Sequence, residues 1–150
     1  YTPLTDGMEV KILTADDPQS IELLRHSTAH VMAQAVQKLF PQAKIAIGPT
    51  IDNGFYYDFE IKDHSLSTED LANIEAEMKK IAEAKQRLVR YNIADVDKQL
   101  KEFESQGEKF KAELLREHRD HNPTLYLMQD KDGNTIWNDL CRGPHLPSTG

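Results

Sequence analysis

Between about Ser20 and Leu39 the chain carries Ile21, Leu24, Thr28, Val31, Met32, Ala35 and Leu39 at three- and four-residue steps. That spacing describes one buried stripe on a long helix. Pro41, which has no backbone N–H to offer and clashes inside a helix, ends the run. In a chain of 150 residues, whatever else folds must supply a surface to cover that stripe. At about 100° per residue, His26 and His30 fall nearly opposite the stripe, beside Leu23, Ala33 and Gln37. The two histidines are therefore expected to face solvent or a cleft.

The remaining segments are shorter and mixed in kind. Met8, Val10 and Ile12 alternate with Glu9 and Lys11 and read as one strand. One strand cannot fold alone, so residues 1–19 are expected to be the end of a preceding small domain with its linker. Asp16-Asp17-Pro18 forms a turn-rich join. Lys44–Ile47 and Phe55–Phe59 read as strands separated by Gly48-Pro49 and Asp52-Asn53-Gly54. Ser67 is an N-cap with Asp70 at N3, and Leu66 with Leu71 would form a hydrophobic staple. Leu71, Ile74, Met78, Ile81 and Leu88 then line one side. Val89–Ile93 reads as a strand, and Asp95–Glu104 and Glu108–His118 as short helices broken at Gly107. Leu125–Gln129 and Thr135–Trp137 read as a hairpin around Asp132-Gly133. The fold class is α+β, an antiparallel sheet packed against the long helix, with the main domain over residues 20–150.

Composition excludes little. The net charge of −7, taken alone, argues against a nucleic-acid partner, because phosphate binding usually leaves a basic footprint, and Lys79, Lys80, Lys85, Arg87 and Arg90 read as a solvated face interleaved with glutamates. No run approaches the roughly 18 apolar residues of a membrane helix. No secretory leader is evident. Cys141, the only cysteine, cannot form an internal disulfide, which fits a cytoplasmic setting.

Two residue pairs carry chemistry. His26 and His30 share a helix face at i and i+4. Cys141 and His145 have the same gap, but Gly143-Pro144 between them makes a tight loop. Three imidazoles and one thiol are the ligand types and number of tetrahedral zinc, provided the fold brings distant pairs together. A metalloprotease motif would place Glu directly after the first His; Ser27 stands there.

Four segments occur in order: Arg25-His26-Ser27-Thr28-Ala29-His30, Ile47-Gly48-Pro49, Asn53-Gly54-Phe55-Tyr56-Tyr57-Asp58-Phe59 and Asp139-Leu140-Cys141-Arg142-Gly143-Pro144-His145. The set resembles the second N-terminal domain, the editing domain, of bacterial threonyl-tRNA synthetases. The resemblance spans roughly residues 20–150 and implies an editing-domain-like fold. It implies a hydrolase that removes serine from mischarged threonine tRNA in the cytoplasm, as part of a longer synthetase whose ligase site lies elsewhere. The strand before it resembles the tail of a small ubiquitin-like domain.

The resemblance also implies a cleft built from His26, His30, Cys141 and His145, with Lys111 after Gly107-Glu108 and Asp139 before Leu140-Cys141. Lys109 leaves the lysine register open by two residues. Tyr57, Tyr126 and Arg142 complete the expected substrate contacts; strand alternation would point one of Tyr56 and Tyr57 inward and the other outward. The expected partners are the acceptor end of threonine tRNA carrying serine and the rest of the synthetase, with no membrane. Editing is expected to need no cofactor, although His26, His30, Cys141 and His145 would accept Zn2+. Lys111→Met is expected to slow the reaction with little change in melting temperature. Two alternatives stay open. One is a free-standing alanyl-type deacylase, against which Arg142 and Pro144 speak. The other is a zinc-stabilised RNA-binding domain with no catalysis.

Overall fold

A computed structural model of the chain describes residues 3–14 and 16–150. Helix α1 (Ser20–Leu39) follows a turn in which Asp17 Oδ1 accepts from the Gln19 N–H at 2.9 Å and Ser20 Oγ donates to the Thr14 carbonyl at 2.6 Å. It closes with the Phe40 N–H on the Val36 carbonyl, just before Pro41. Four two-residue strands come next: β1 (Lys44–Ile45), β2 (Thr50–Ile51), β3 (Gly54–Phe55) and β4 (Phe59–Glu60). β1 pairs with β4 and β2 with β3, both antiparallel. Bonds from the Ala46 N–H to the Asp58 carbonyl and from the Asp58 N–H to the Ile47 carbonyl join them into one arm. The expected Lys44–Ile47 strand is thus shortened to its first two residues, and the expected Phe55–Phe59 strand is split between β3 and β4, where Gly48-Pro49 interrupts the ladder; proline has no N–H to give it.

Helix α2 (Thr68–Glu83) opens on the expected capping box between Ser67 and Asp70. The proposed staple is not sealed, since Leu66 and Leu71 are both exposed. Of the stripe expected on this side, Ile74 and Ile81 are buried and Met78 packs against them, while Leu88 belongs to the next strand. Strand β5 (Arg87–Asn92) leads to α3 (Val96–Ser105) and α4 (Lys109–Glu117), broken where Gly107 takes a φ of +70°. Strands β6 (Thr124–Gln129) and β7 (Thr135–Leu140) close the chain around Gly133, and β7 runs three residues beyond the Trp137 end read from the sequence.

β5, β6 and β7 form one antiparallel sheet in the order β5-β6-β7. Its residues alternate between two cores, as a period of two requires. Tyr126 and Met128, with Leu88, meet Val31, Ala35 and Val36 of α1 and Ile74 and Ile81 of α2. Leu125, with Leu127 and Leu140, meets Leu100 and Phe103 of α3 and Ala112 and Leu115 of α4. The molecule is α+β, a sheet between two helical layers, and the long helix covers one face.

Two expectations are corrected here. No strand forms over Met8, Val10 and Ile12 among the described residues, and Ile12 is 88% exposed. A strand satisfies its backbone only against a neighbour, and none pairs with this segment; Tyr1 and Thr2 lie outside the described residues. In α1, Ile21 and Leu24 are 48% and 53% exposed and Leu39 is exposed too, so the expected stripe holds only at its centre. The middle of α1 is instead buried on several sides, including Ser27, Ala29, His30, Ala33 and Gln34. Among the described residues no helix is long and apolar enough to cross a membrane.

Candidate functional site

The second and third turns of α1 present His26, Ser27 and His30 to the loop that follows β7. Ser27 Oγ accepts from the Leu146 N–H at 2.9 Å and meets His145 Nδ1 at 3.2 Å. Thr124, at the start of β6, accepts from the Cys141 N–H at 3.0 Å through its carbonyl and donates its hydroxyl to the Cys141 carbonyl at 2.5 Å. The loop is thereby pinned at both ends. The two pairs, far apart in sequence, converge: one ligand atom from each of His26, His30, Cys141 and His145 falls within 4.8 Å of the others.

One contact assigns a tautomer. His26 Nδ1 lies 3.1 Å from the Pro144 carbonyl, which can only accept, so Nδ1 carries the proton. A neutral His26 therefore keeps Nε2 as a bare acceptor, 3.2 Å from Cys141 Sγ. His145 Nε2 lies 3.3 Å from the same sulfur, and the Gly143 N–H donates to it at 3.2 Å. Burial holds the His26 imidazolium below the ordinary histidine range, against the opposing pull of the Pro144 contact and Asp139. Burial also pushes His30 down to about 4, although Asp139 opposes it, and His145 down to about 2, helped by the other histidines. The Cys141 thiol is pushed up to about 12 by the same burial, partly offset by the Gly143 N–H. Near neutral pH the cluster thus holds three neutral imidazoles and a protonated thiol, and a protonated thiol is a poor nucleophile.

Beside the cluster lies a buried ionic network. Asp139 accepts from Tyr57 Oη at 2.5 Å and from its own neighbour's Leu140 N–H at 2.9 Å, and pairs with Lys111 Nζ at 3.3 Å. Lys111 also donates to the Asn138 carbonyl at 2.9 Å and sits 5.3 Å from the Trp137 ring centroid. Lys111 and Asp139 are each only 4% exposed. His30 Nε2 is 3.8 Å from Asp139, too long for a hydrogen bond, and its buried Nδ1 has no partner among the described residues. Burial, with the charge of Asp139, holds the Tyr57 hydroxyl well above its usual range. Lys109 points elsewhere, to Glu60 at 2.5 Å, so Lys111 is the lysine at the cluster.

Tyr57 turns inward and Tyr56 outward, as alternation requires. Its ring lies on Gly48, where a Cβ would fall 2.1 Å from ring carbon, so any other residue would displace it. Tyr126 is buried behind the cluster, its ring 4.4 Å from His145 and pressed on Gly143. Arg142 is exposed. Ser27, Thr124 and Gly48 position the site. Ser27 and Gly48 lie within the segments that carry the resemblance but have no role implied there, and no pattern marks Thr124, because each acts through a contact made only by the folded chain.

The donor set suits tetrahedral zinc in type and number; such a site needs donors roughly 3.3–3.6 Å apart, close to the two Cys141 distances. Were zinc bound, His26, His30, Cys141 and His145 would hold it. Four protein ligands make a closed, structural site with no position left for water or substrate.

No family model matches the chain. It is similar to threonine–tRNA ligases: 45% identical over 148 residues to that of Citrifermentans bemidjiense, 47% over 150 to that of Zymomonas mobilis, and 46% over 148 to that of Rickettsia conorii. These alignments take in 98–99% of this chain and 22% of each relative. The chain therefore spans about a fifth of the length of the curated relatives it matches, and is homologous to one region of them.

Proposed function

We propose that the chain is the editing module of a threonyl-tRNA synthetase and hydrolyses the serine ester of mischarged threonine tRNA in the cytoplasm. The observation that carries this reading is the convergence of His26, His30, Cys141 and His145 beside the buried Lys111–Asp139–Tyr57 network. Its homology to a region of threonine–tRNA ligases agrees with it. Residues 1–19 are then the tail of a preceding ubiquitin-like domain and its linker.

Ester hydrolysis needs a base, a water and a stabilised oxyanion. His26 is the base: its Nε2 is the free acceptor, and its proton-bearing Nδ1 is held by Pro144. A water taking the place of the Cys141 contact at Nε2 loses its proton there as it attacks the carbonyl carbon; when the tetrahedral adduct collapses, the ester C–O bond breaks and the departing tRNA hydroxyl oxygen takes that proton back from Nε2. Lys111 faces the negative charge that develops on the carbonyl oxygen, help that is greatest in the transition state. Asp139 holds Lys111 and Tyr57 in place. Cys141 keeps its proton and orients His26 and His145. Tyr126 supports His145 from behind.

The specificity is steric. A synthetic site for threonine rejects serine by only about 1–3 kcal/mol, roughly 10–200-fold, since serine merely lacks a methyl group. A second, tighter site that admits serine and excludes the methyl supplies the rest. No metal takes part in this scheme, because a zinc on all four ligands would occupy Nε2 of His26 and leave no open position. Deacylation of seryl-tRNA by this chain should continue in excess chelator. Stoichiometric zinc in a protein with no deacylase activity would favour the zinc-stabilised RNA-binding reading instead.

A further inference from the structure

The Cys141 thiol stands among several polar contacts and has one proton to place among them. Its Sγ accepts from the Gly143 N–H at 3.2 Å and meets Nε2 of both His26 and His145, at 3.2 and 3.3 Å. His26 Nε2 carries no proton, since the Pro144 carbonyl holds the N–H of that ring at Nδ1. The S–H is therefore directed to His26. Only sulfur lone pairs remain for His145, so its Nε2 is the protonated nitrogen and not a second bare one. A neutral imidazole has a single N–H, which makes Nδ1 the bare nitrogen of His145.

The group that faces His145 Nδ1 is the Ser27 hydroxyl, 3.2 Å away. Ser27 is 4% exposed, and its oxygen already accepts from the Leu146 N–H at 2.9 Å. Its hydroxyl hydrogen is left to donate, and among the described residues no carbonyl or carboxylate competes for it. The next residue behaves differently: Thr28 gives its hydroxyl back to the Leu24 carbonyl at 2.7 Å, the usual helical habit. The opposite tautomer of His145 would strand the Ser27 hydrogen and set two bare nitrogens against one S–H. Buried polar groups left unmatched in this way are costly. One order alone satisfies every group. The Leu146 N–H donates to Ser27 Oγ, the Ser27 hydroxyl to His145 Nδ1, the His145 Nε2–H to Cys141 Sγ, and the Cys141 S–H to His26 Nε2.

We propose that Ser27 is a positioning residue that fixes His145 as an N–H donor to Cys141 and so leaves His26 as the proton acceptor of the two imidazoles at the thiol. The role rests on the deacylase reading, in which a water replaces the thiol at His26 Nε2. With the N–H groups of Gly143 and His145 both on the sulfur, the thiol stays anchored to its loop when it yields that position. A His145 with a bare Nε2 would instead offer the water a second, differently aimed acceptor. Helix α1 thus supplies the base and, at the adjacent residue, the hydroxyl that orders the neighbouring ring.

The test is the histidine ring-nitrogen spectrum of the full 150-residue chain, recorded in excess chelator at neutral pH. Long-range proton–nitrogen NMR correlation separates a bare ring nitrogen from a protonated one, and a bare nitrogen that accepts a hydrogen bond from one that does not. The two rings at the thiol should show opposite tautomers, His26 protonated at Nδ1 and His145 at Nε2. Ser27→Ala should move the His145 Nδ1 signal to that of a bare nitrogen without a partner. It should also lower kcat for seryl-tRNA about tenfold, the order of one hydrogen bond, with KM unchanged. Ser27→Thr, which keeps the hydroxyl, should restore both. A His145 protonated at Nδ1 in the wild-type chain overturns the proposal, and that spectrum does not depend on any variant folding. An unmoved Nδ1 signal in folded Ser27→Ala overturns it too. Wild-type deacylation is measured alongside. The expected tautomers with no hydrolysis would refute the deacylase reading and leave the Ser27–His145 order standing, whereas hydrolysis with the opposite His145 tautomer would refute the proposal alone.

Discussion

The two faces of the three-stranded sheet are built from neighbouring residues of the same strands, yet they do different work. On one face, Leu125, Leu127 and Leu140 meet α3 and α4 in an apolar core. On the other, Tyr126, Trp137, Asp139 and Cys141 meet α1 and the arm, and the interior there contains a lysine, a carboxylate and three imidazoles. Helix α4 serves both: Ala112 and Leu115 enter the apolar core, while Lys111 goes to the ionic network. The contrast shows that stability and chemistry are separated by the pleat and not by distance. A one-residue step along β7, from Asp139 to Leu140, crosses from one to the other.

The largest expected effects should divide along that line. His26→Ala should lower the deacylation rate by about 10²–10⁴-fold, the usual worth of a general base, with little change in melting temperature because His26 is only partly buried. Cys141→Ser should keep part of the activity; a seryl-thioester trapped on Cys141 would show instead that the thiol attacks. On the opposite face, Leu115→Ala should cost about 2–5 kcal/mol of stability, read by denaturant titration, and leave the folded fraction active. A fully stable but inactive Leu115→Ala would break the comparison.

Lys111 sharpens it. The sequence suggested that Lys111→Met would spare stability, but burial of the Lys111–Asp139 pair reverses that expectation. Removing the lysine leaves Asp139 as an uncompensated buried charge, which costs about 3–5 kcal/mol. Lys111→Met should therefore melt early as well as react slowly, and Lys111→Met/Asp139→Asn should recover much of the stability and none of the activity. A normal melting curve for the single variant would contradict this.

A smaller effect comes with acid. His30 has a folded-state value of about 4 against 6.5 when unfolded, because burial disfavours its charged form. The unfolded chain then binds more protons between those values, so the stabilisation is complete above about pH 6.5 and is lost as pH falls towards 4. His30 alone should account for about 3 kcal/mol of that loss, and His145 acts in the same direction. The metal-free chain should show it in denaturant midpoints between pH 7 and 4, and His30→Gln should flatten the slope. A stability that rises on acidification would contradict the buried neutral imidazoles.

What was legible in the sequence was mostly local. Pro41 stops α1, Ser67 and Asp70 cap α2, and Gly107 and Gly133 take the positive φ that their breaks require. These are decided within a few residues. The pairing of His26/His30 with Cys141/His145 could be posed from ligand type and spacing, but only the fold brings them together. Burial was harder to read. Ile21 and Leu24 look like core residues by spacing, yet the first turns of α1 lie beside an open cleft. Polar Ser27 and Gln34 are buried because α1 is covered on more than one side, which a single-stripe reading does not anticipate. Met8, Val10 and Ile12 alternate like a strand, but alternation cannot supply a partner. Lys111 could be placed at the site, but its near-complete burial, and so its part in stability, could not.

The most direct measurement is single-turnover deacylation of seryl- and threonyl-esters of threonine tRNA by this chain, with the corresponding aminoacyl-adenosines beside them. Serine should leave at least roughly tenfold faster than threonine on both carriers, because the discrimination rests on the room beside the ester and not on tRNA docking. Equal rates for the two amino acids would place the sieve elsewhere and contradict the reading of this chain as the editing module.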